Sequence, residues 1–308
     1  MRKLLLLKFC VLLLIYSCNN SGGTGKPDQL YIVTTTGMLA DAVKNIVGDK
    51  ATVESLMGPG VDPHLYKATQ SDLGKLNQAS IIFYNGLYLE GKMEEVLVKL
   101  GQTKKTVAVG NYIDKTSLIT TSSHGDGNLG YDPHIWFDVS LWADAAEAIT
   151  SSMKELDPDN SAFYQENFNS YSGQLKELHH WMKNEIASIP AGQRVLITSH
   201  DAFSYFGKAY EIEVHGLQGI STASDYGLQD VTRLVNLIVE RKVKAVFIET
   251  SVAPRSLQAV IEGCKNLGYD VRIGGTLFSD AMGQPGTPEG TYSGMVKANV
   301  NTIVAALK

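Results

Sequence analysis

The sequence predicts an α/β protein of two lobes, each a parallel sheet flanked by helices, joined by one long spine helix with a ligand cleft between the lobes. Three observations predict it. Short β-branched strands alternate with amphipathic helices, the pattern of parallel sheets covered by helices. That alternation runs twice, once on each side of the chain's midpoint. Between the two runs lies a single helical period far longer than any other, as a rigid connection between lobes requires.

Taken in order, residues 1–17 read as an export signal. Arg2 and Lys3 make a positive start, residues 4–15 are apolar except for Lys8, and the run is short for a membrane-spanning helix. Ser17 followed directly by Cys18 resembles a bacterial lipobox, in which the cysteine becomes the lipidated N-terminus after cleavage. Tyr16 is bulky for its place in that motif, and the alternative is an ordinary signal peptide cut elsewhere. Residues 18–29 hold the lipidated cysteine and a tether rich in Gly, Ser and Asn, with nothing to bury. The expected location is therefore outside the cytoplasm, on a membrane surface, through a lipid anchor. Of the three cysteines, Cys10 falls in the signal and Cys18 at its end, which leaves Cys264. No intrachain disulfide is available, so a packed core must supply stability, and Cys264 reads as a buried, inert thiol. Loss of residues 1–17 removes Arg2, Lys3 and Lys8 and takes the net charge from −5 to −8. An acidic chain argues against nucleic acid as a partner and mildly favours cations.

The N-terminal lobe, residues 30–156, has expected strands at 30–34, 52–56, 80–84 and 106–109, with helices at 38–47, 70–78 and 92–100. The strands are short and unalternating, as strands covered on both faces should be. The linking helix, 157–190, starts at Pro158 after Asp157 and carries apolar residues at Tyr164, Phe168, Tyr171, Leu175, Leu178, Met182, Ile186 and Ile189. Their steps of three and four keep one face apolar, roughly thirty helical residues span about 45 Å, and Pro190-Ala191-Gly192 ends the helix. A long surface helix of one larger domain is the alternative to a spine. The C-terminal lobe, 191–308, has expected strands at 194–198, 211–214, 245–249 and 271–273, and helices near 202–210, 228–241, 255–267 and 292–307.

The chemistry centres on histidine. Among seven histidines, His64 and His134 share one context, Asp62-Pro63-His64-Leu65-Tyr66 and Asp132-Pro133-His134-Ile135-Trp136. Proline fixes the backbone before each imidazole, and the aspartate either caps the following turn or orients the ring. His200 directly follows the strand RVLITS, and Asp280 follows TLFS ahead of the last helix. Ligands of doubly wound sheets bind beyond the carboxyl ends of strands, so these four side chains can meet across the cleft. Three imidazoles and a carboxylate suit a borderline divalent ion. Read singly, a histidine at a strand end such as His200 is more often a hydrogen-bonded structural residue, and the Asp-Pro-His segments could be helix caps. His124, His179, His180 and His215 are read as solvated or structural.

The segments DPHLYKATQSDLGKLNQASIIFYNGLYLEGKME, DPHIWFDVSLWADAAEAI, ITSHDAFSYFGKAY, GLQGIST, AVFIETSVAPRSL, TLFSDAMG and GTYSGMVKANVNTIVAAL resemble the zinc/manganese solute-binding proteins of bacterial ABC importers. The likeness covers essentially the whole chain after the tether. It departs from the family at Gln70, where a proline often precedes Ser-Asp, and at Ala298, where a larger residue is common; neither is a ligand. The resemblance implies metal ligands at His64, His134, His200 and Asp280, two lobes on one long helix, and delivery to a permease driven by an ATPase subunit. It also implies a monomer that performs no catalysis. His200 stands where manganese-carrying members tend to have glutamate, which leans the set to zinc. The stretch 117–131 holds only His124 and lacks the His-rich loop of many zinc members. The resulting order is zinc, then manganese, then iron. The rival readings are a zinc hydrolase, an adhesin that also binds metal, and a binder of a larger ligand such as a metal chelate. Neutral imidazoles as ligands imply an affinity that falls as pH drops through about 6.5. His200→Ala is expected to abolish tight zinc binding with its thermal transition unchanged.

Overall fold

The computed structural model describes residues 29–121 and 130–308; the signal, Cys18, most of the tether and His124 lie outside the described residues. The first sheet contains β1 (Leu30–Thr34), β2 (Ala51–Ser55), β3 (Ile81–Tyr84) and β4 (Thr106–Ala108), all parallel, in the order β2-β1-β3-β4. A small antiparallel pair, β5 (Thr120–Thr121) with β6 (Gly130–Tyr131), follows. The second parallel sheet holds β7 (Val195–His200), β8 (Glu213–Gln218), β9 (Ala245–Glu249) and β10 (Arg272–Leu277), in the order β10-β9-β7-β8. The helices of the first half are α1 (Gly37–Val47), α2 (Gln70–Gln78), α3 (Glu94–Gly101) and α4 (Val139–Leu156). After them come α5 (Ser161–Ala187), α6 (Ser204–Tyr210), α7 (Leu228–Arg241), α8 (Gln258–Asn266) and α9 (Tyr292–Leu307). Among the described residues no helix is long and apolar enough to cross a membrane.

Side chains that alternate along each strand enter different cores. From the first sheet Val33 and Ile82 meet Leu76 of α2 and Leu97 of α3. From the second, Val195, Ile197 and Val246 meet Leu234 of α7 and Cys264 of α8. The opposite faces, through Ile32, Phe83, Leu196 and Phe247, enter one continuous core shared with α1, α4, α5 and α9. Each sheet thus has a private outer layer, while a common inner layer of helices fuses the halves.

The spine is α5, 27 residues or about 40 Å, preceded by a 3-10 turn at Pro158–Asn160. Pro158 occupies the first position of that turn, where its missing N–H costs nothing. The Asp157 carboxylate takes the Tyr164 hydroxyl at 2.6 Å and the Asn160 amide at 2.8 Å and so ties the entry down. Tyr164, Tyr171, Leu175, Leu178, Met182 and Ile186 are buried, as their spacing requires.

Two strands lie further along the chain than the sequence suggests. β8 ends at Gln218 instead of 214 because Gly216 lets it run tightly against the chain at His200 and Asp201, where β7 ends. A Cβ there would stand 2.5 Å from the Asp201 nitrogen. β10 continues to Leu277 instead of 273, since its register shifts at Gly275, with φ 154°, and pairing then resumes. Both extensions bring chain toward the site.

Candidate metal centre

Each candidate ligand ends a strand or lies in the loop that follows one. His64 lies in the loop after β2, and His134 leads a 3-10 turn, Ile135–Phe137, after β6. His200 is the last residue of β7 and Asp280 follows β10. Together they are almost fully buried: His64 is 4 % exposed, Asp280 2 %, His134 and His200 0 %.

The ring nitrogens facing away from the centre are engaged by acids. The Asp132 carboxylate accepts from the His134 backbone N–H at 2.9 Å and faces its Nδ1 at 2.7 Å. Glu249, the last residue of β9, accepts from the His200 backbone N–H at 2.9 Å and from its Nδ1 by a short hydrogen bond. With Nδ1 donating, the Nε2 lone pair of each ring points inward, the tautomer a metal needs. Asp62 acts differently. Its Oδ1 accepts from the His64 backbone N–H at 2.9 Å, and its Oδ2 accepts the Thr222 hydroxyl at 2.6 Å across the cleft.

The inward atoms converge. One donor atom from each of the four residues lies within 4.8 Å of every other. His64 Nε2 is 3.3 Å from His134 Nε2 and 3.9 Å from Asp280 Oδ2. His134 Nε2 is 3.4 Å from Asp280 Oδ1, and His200 Nε2 is 3.3 Å from Asp280 Oδ2. Donors about 2.0–2.1 Å from a tetrahedral ion stand about 3.3–3.4 Å apart, so three of these four spacings match the edge of such a shell. His200 Nε2 and both Asp280 oxygens are buried with no hydrogen-bond partner. Buried polar atoms are rarely left so, and a cation at the centre would satisfy all three.

The model of the family described as "ZnuA: Zinc-uptake complex component A periplasmic" matches residues 32–306. The chain belongs to this family. The manganese-binding lipoprotein MntA of Bacillus subtilis is 50% identical over 289 residues, 94% of this chain and 93% of the relative. The zinc-binding protein TroA of Treponema pallidum is 44% identical over 292 residues, 95% and 92% of the two chains. The solved structure of the periplasmic zinc-binding TroA superposes with a TM-score of 0.87 at 45% identity, covering 91% of this chain and 99% of that one. The family is one of transport components, not enzymes.

The acids around the site favour protons on its imidazoles. Burial alone lowers the affinity of His134 for a proton, but the charge and hydrogen bond of Asp132, with Asp280 beyond, push its pKa up to about 9. Burial opposes charge on His200 too; Glu249 and Asp280 more than reverse that and raise it well above the ordinary imidazole range. For Asp280 burial works upward, while His200 and His134 overcome it and hold the carboxyl well below the usual range. An incoming cation would therefore compete with protons for these imidazoles.

The sequence reading missed Glu249. Its signal was an acid at the buried end of the strand AVFIE, beside the strand that ends in His200. The remaining described histidines stay outside the centre. His179 Nδ1 meets the Tyr210 hydroxyl at 3.1 Å, His180 is exposed on α5, and His215 pairs with Glu213 at 2.8 Å on the surface. Cys264 is a free, buried thiol in the outer core of the second sheet.

Proposed function

We propose that this chain captures one divalent transition-metal ion outside the cytoplasm and hands it to the permease of an ABC importer, with His64, His134, His200 and Asp280 as the ligands. The observation that carries the reading is the buried convergence of three imidazole nitrogens and a carboxylate at near-tetrahedral spacing. In support, relatives bear the names manganese-binding lipoprotein and metal ABC transporter substrate-binding lipoprotein. Residues 1–17 are then the export signal, Cys18 the lipidated residue and 18–29 the tether. Lobes at 30–156 and 191–308 flank the linking segment 157–190.

Zinc is the first candidate and manganese the second. Three nitrogens and one oxygen suit a four-coordinate ion. Because both Asp280 oxygens face the imidazoles, a bidentate carboxylate gives a fifth bond and accommodates manganese, the ion in the MntA name. Iron ranks third. Loading is ligand exchange with proton release, and the ion reaches the centre from a cavity of about 620 Å³ bounded by His64, Tyr88, Lys92 and Asp201. Catalytic zinc would need an open position and a base; the nearby Asp132 and Glu249 instead orient imidazoles. The metal-binding adhesin reading predicts normal metal uptake in cells lacking this chain.

The test is elemental analysis of protein purified without chelators, followed by direct zinc/manganese competition. One ion per chain, lost in His200→Ala, supports the reading. A chain that binds neither ion tightly, or a variant with the parent's dissociation constant, removes it.

A further inference from the structure

The centre draws two ligands from each half of the chain, so something must set the distance between the halves at the ion. The segment carrying Asp280 is gripped from both sides. Its Phe278 is held by its own half: the Asn299 side chain on α9 accepts from the Phe278 N–H at 2.9 Å and donates to its carbonyl at 2.7 Å. The next residue is held by the other half. Trp136 Nε1 donates to the Ser279 carbonyl at 3.1 Å, one residue before Asp280 and two residues after His134. Trp136 is itself anchored, because the Tyr292 hydroxyl donates to its carbonyl at 2.7 Å. Trp136, Ser279 and Tyr292 are at most 1 % exposed, so water does not compete for these bonds. The Trp136 ring also stands edge-on to His134, with centroids 5.3 Å apart.

We propose that Trp136 is a positioning residue that fixes Asp280 against His134 and thereby sets the selectivity of the centre for a small four-coordinate ion over a larger one of higher coordination. The inference rests on the reading of the four side chains as ligands. The physical ground is the spacing. Donors held about 3.3–3.4 Å apart fit bonds of about 2.0–2.1 Å, whereas manganese favours an octahedral shell with more ligands. A centre free to widen loses its advantage for zinc first. Replacement of the indole by phenyl removes the one hydrogen bond that crosses from Trp136 to the Asp280 segment while an aromatic ring stays beside His134.

The experiment measures dissociation constants for zinc and for manganese by chelator competition on the full chain, Trp136→Phe and Tyr292→Phe, with melting curves of each metal-free protein. Trp136→Phe should weaken zinc roughly tenfold and manganese less than about threefold, so the preference for zinc shrinks. Tyr292→Phe should shift the ratio in the same direction by less. A ratio unchanged within about twofold, or equal losses for both ions, overturns the proposal. If Trp136→Phe does not fold, the ratio in Tyr292→Phe decides alone. A parent chain that binds neither ion overturns the ligand reading as well, whereas tight parental binding with an unmoved ratio overturns only the role of Trp136.

Discussion

Consider Glu249→Gln. The parent carboxylate gives one oxygen to the His200 backbone N–H at 2.9 Å and the other to Nδ1–H. An amide offers a single acceptor oxygen. If that oxygen faces Nδ1, the His200 backbone N–H loses its acceptor. If the NH₂ group faces Nδ1 instead, the imidazole carries its proton on Nε2, the atom that must bind the ion. Either arrangement costs affinity, and changes to such orienting partners typically cost roughly 10- to 100-fold, or about 1.4–2.8 kcal/mol. The metal-free protein also loses a buried hydrogen bond to a charged group, worth about 1.5–3 kcal/mol. Competition against a chromophoric zinc chelator at pH 7.5, with a melting curve on metal-free protein, reads both effects. A zinc dissociation constant within about twofold of the parent's would refute the claim that Glu249 sets the tautomer and direction of His200.

Three further outcomes follow from the same geometry. Because His134 is raised to about 9 and His200 is raised as well, zinc affinity should climb with pH up to about 9 instead of levelling above 6.5. Loading at pH 7.5 should release protons, visible as a buffer-dependent heat; the absence of release would overturn this. The sign for stability is the reverse: a raised imidazole stabilises the metal-free fold fully below its unfolded value near 6.5, and that contribution fades as pH rises through about 9. His200→Ala should abolish tight zinc binding, and, contrary to the sequence expectation, should also lower the melting temperature of the metal-free protein, since it strands Glu249 at 2 % exposure without its ring partner; equal melting temperatures would count against the pairing. Glu90, fully buried, has its pKa pushed by burial up to about 7, against donors from Thr35, Asn85 and Gly86. As an acid raised above its unfolded value near 4.3, it costs the fold stability as pH rises from there to about 7. Urea unfolding of Glu90→Gln at pH 5 and 7.5 should therefore show a smaller difference than the parent, and an equal one would refute this.

The fold class was legible because both of its signals are local. Unalternating β-branched strands betray two covered faces, and steps of three and four from Tyr164 to Ile186 mark one apolar face of a long helix. The ends of β8 and β10 were illegible because glycines such as Gly216 and Gly275 lower strand propensity in the sequence yet permit close approach and a register shift in three dimensions. At the site, His64 and His134 announced themselves through a repeated Asp-Pro-His segment, and the two aspartates looked equivalent. They are not: Asp132 grips its imidazole, while Asp62 grips backbone and the far lobe. Sequence spacing cannot show which way a carboxylate turns. Glu249 escaped because its partner lies 49 positions away, a distance that only sheet order closes.

The shared inner layer of helices has a practical side. Neither half owns enough of that core to be lifted out whole, since Ile32 and Leu196 belong to the same buried cluster. A biosensor that carries fluorophores on the two halves and waits for a clamshell to close would report little, because the halves are already cemented along α1, α4, α5 and α9. An indicator seated next to the Asp280 segment, which hydrogen bonds from Asn299 and Trp136 hold at the centre itself, is the better place to listen for the arriving ion.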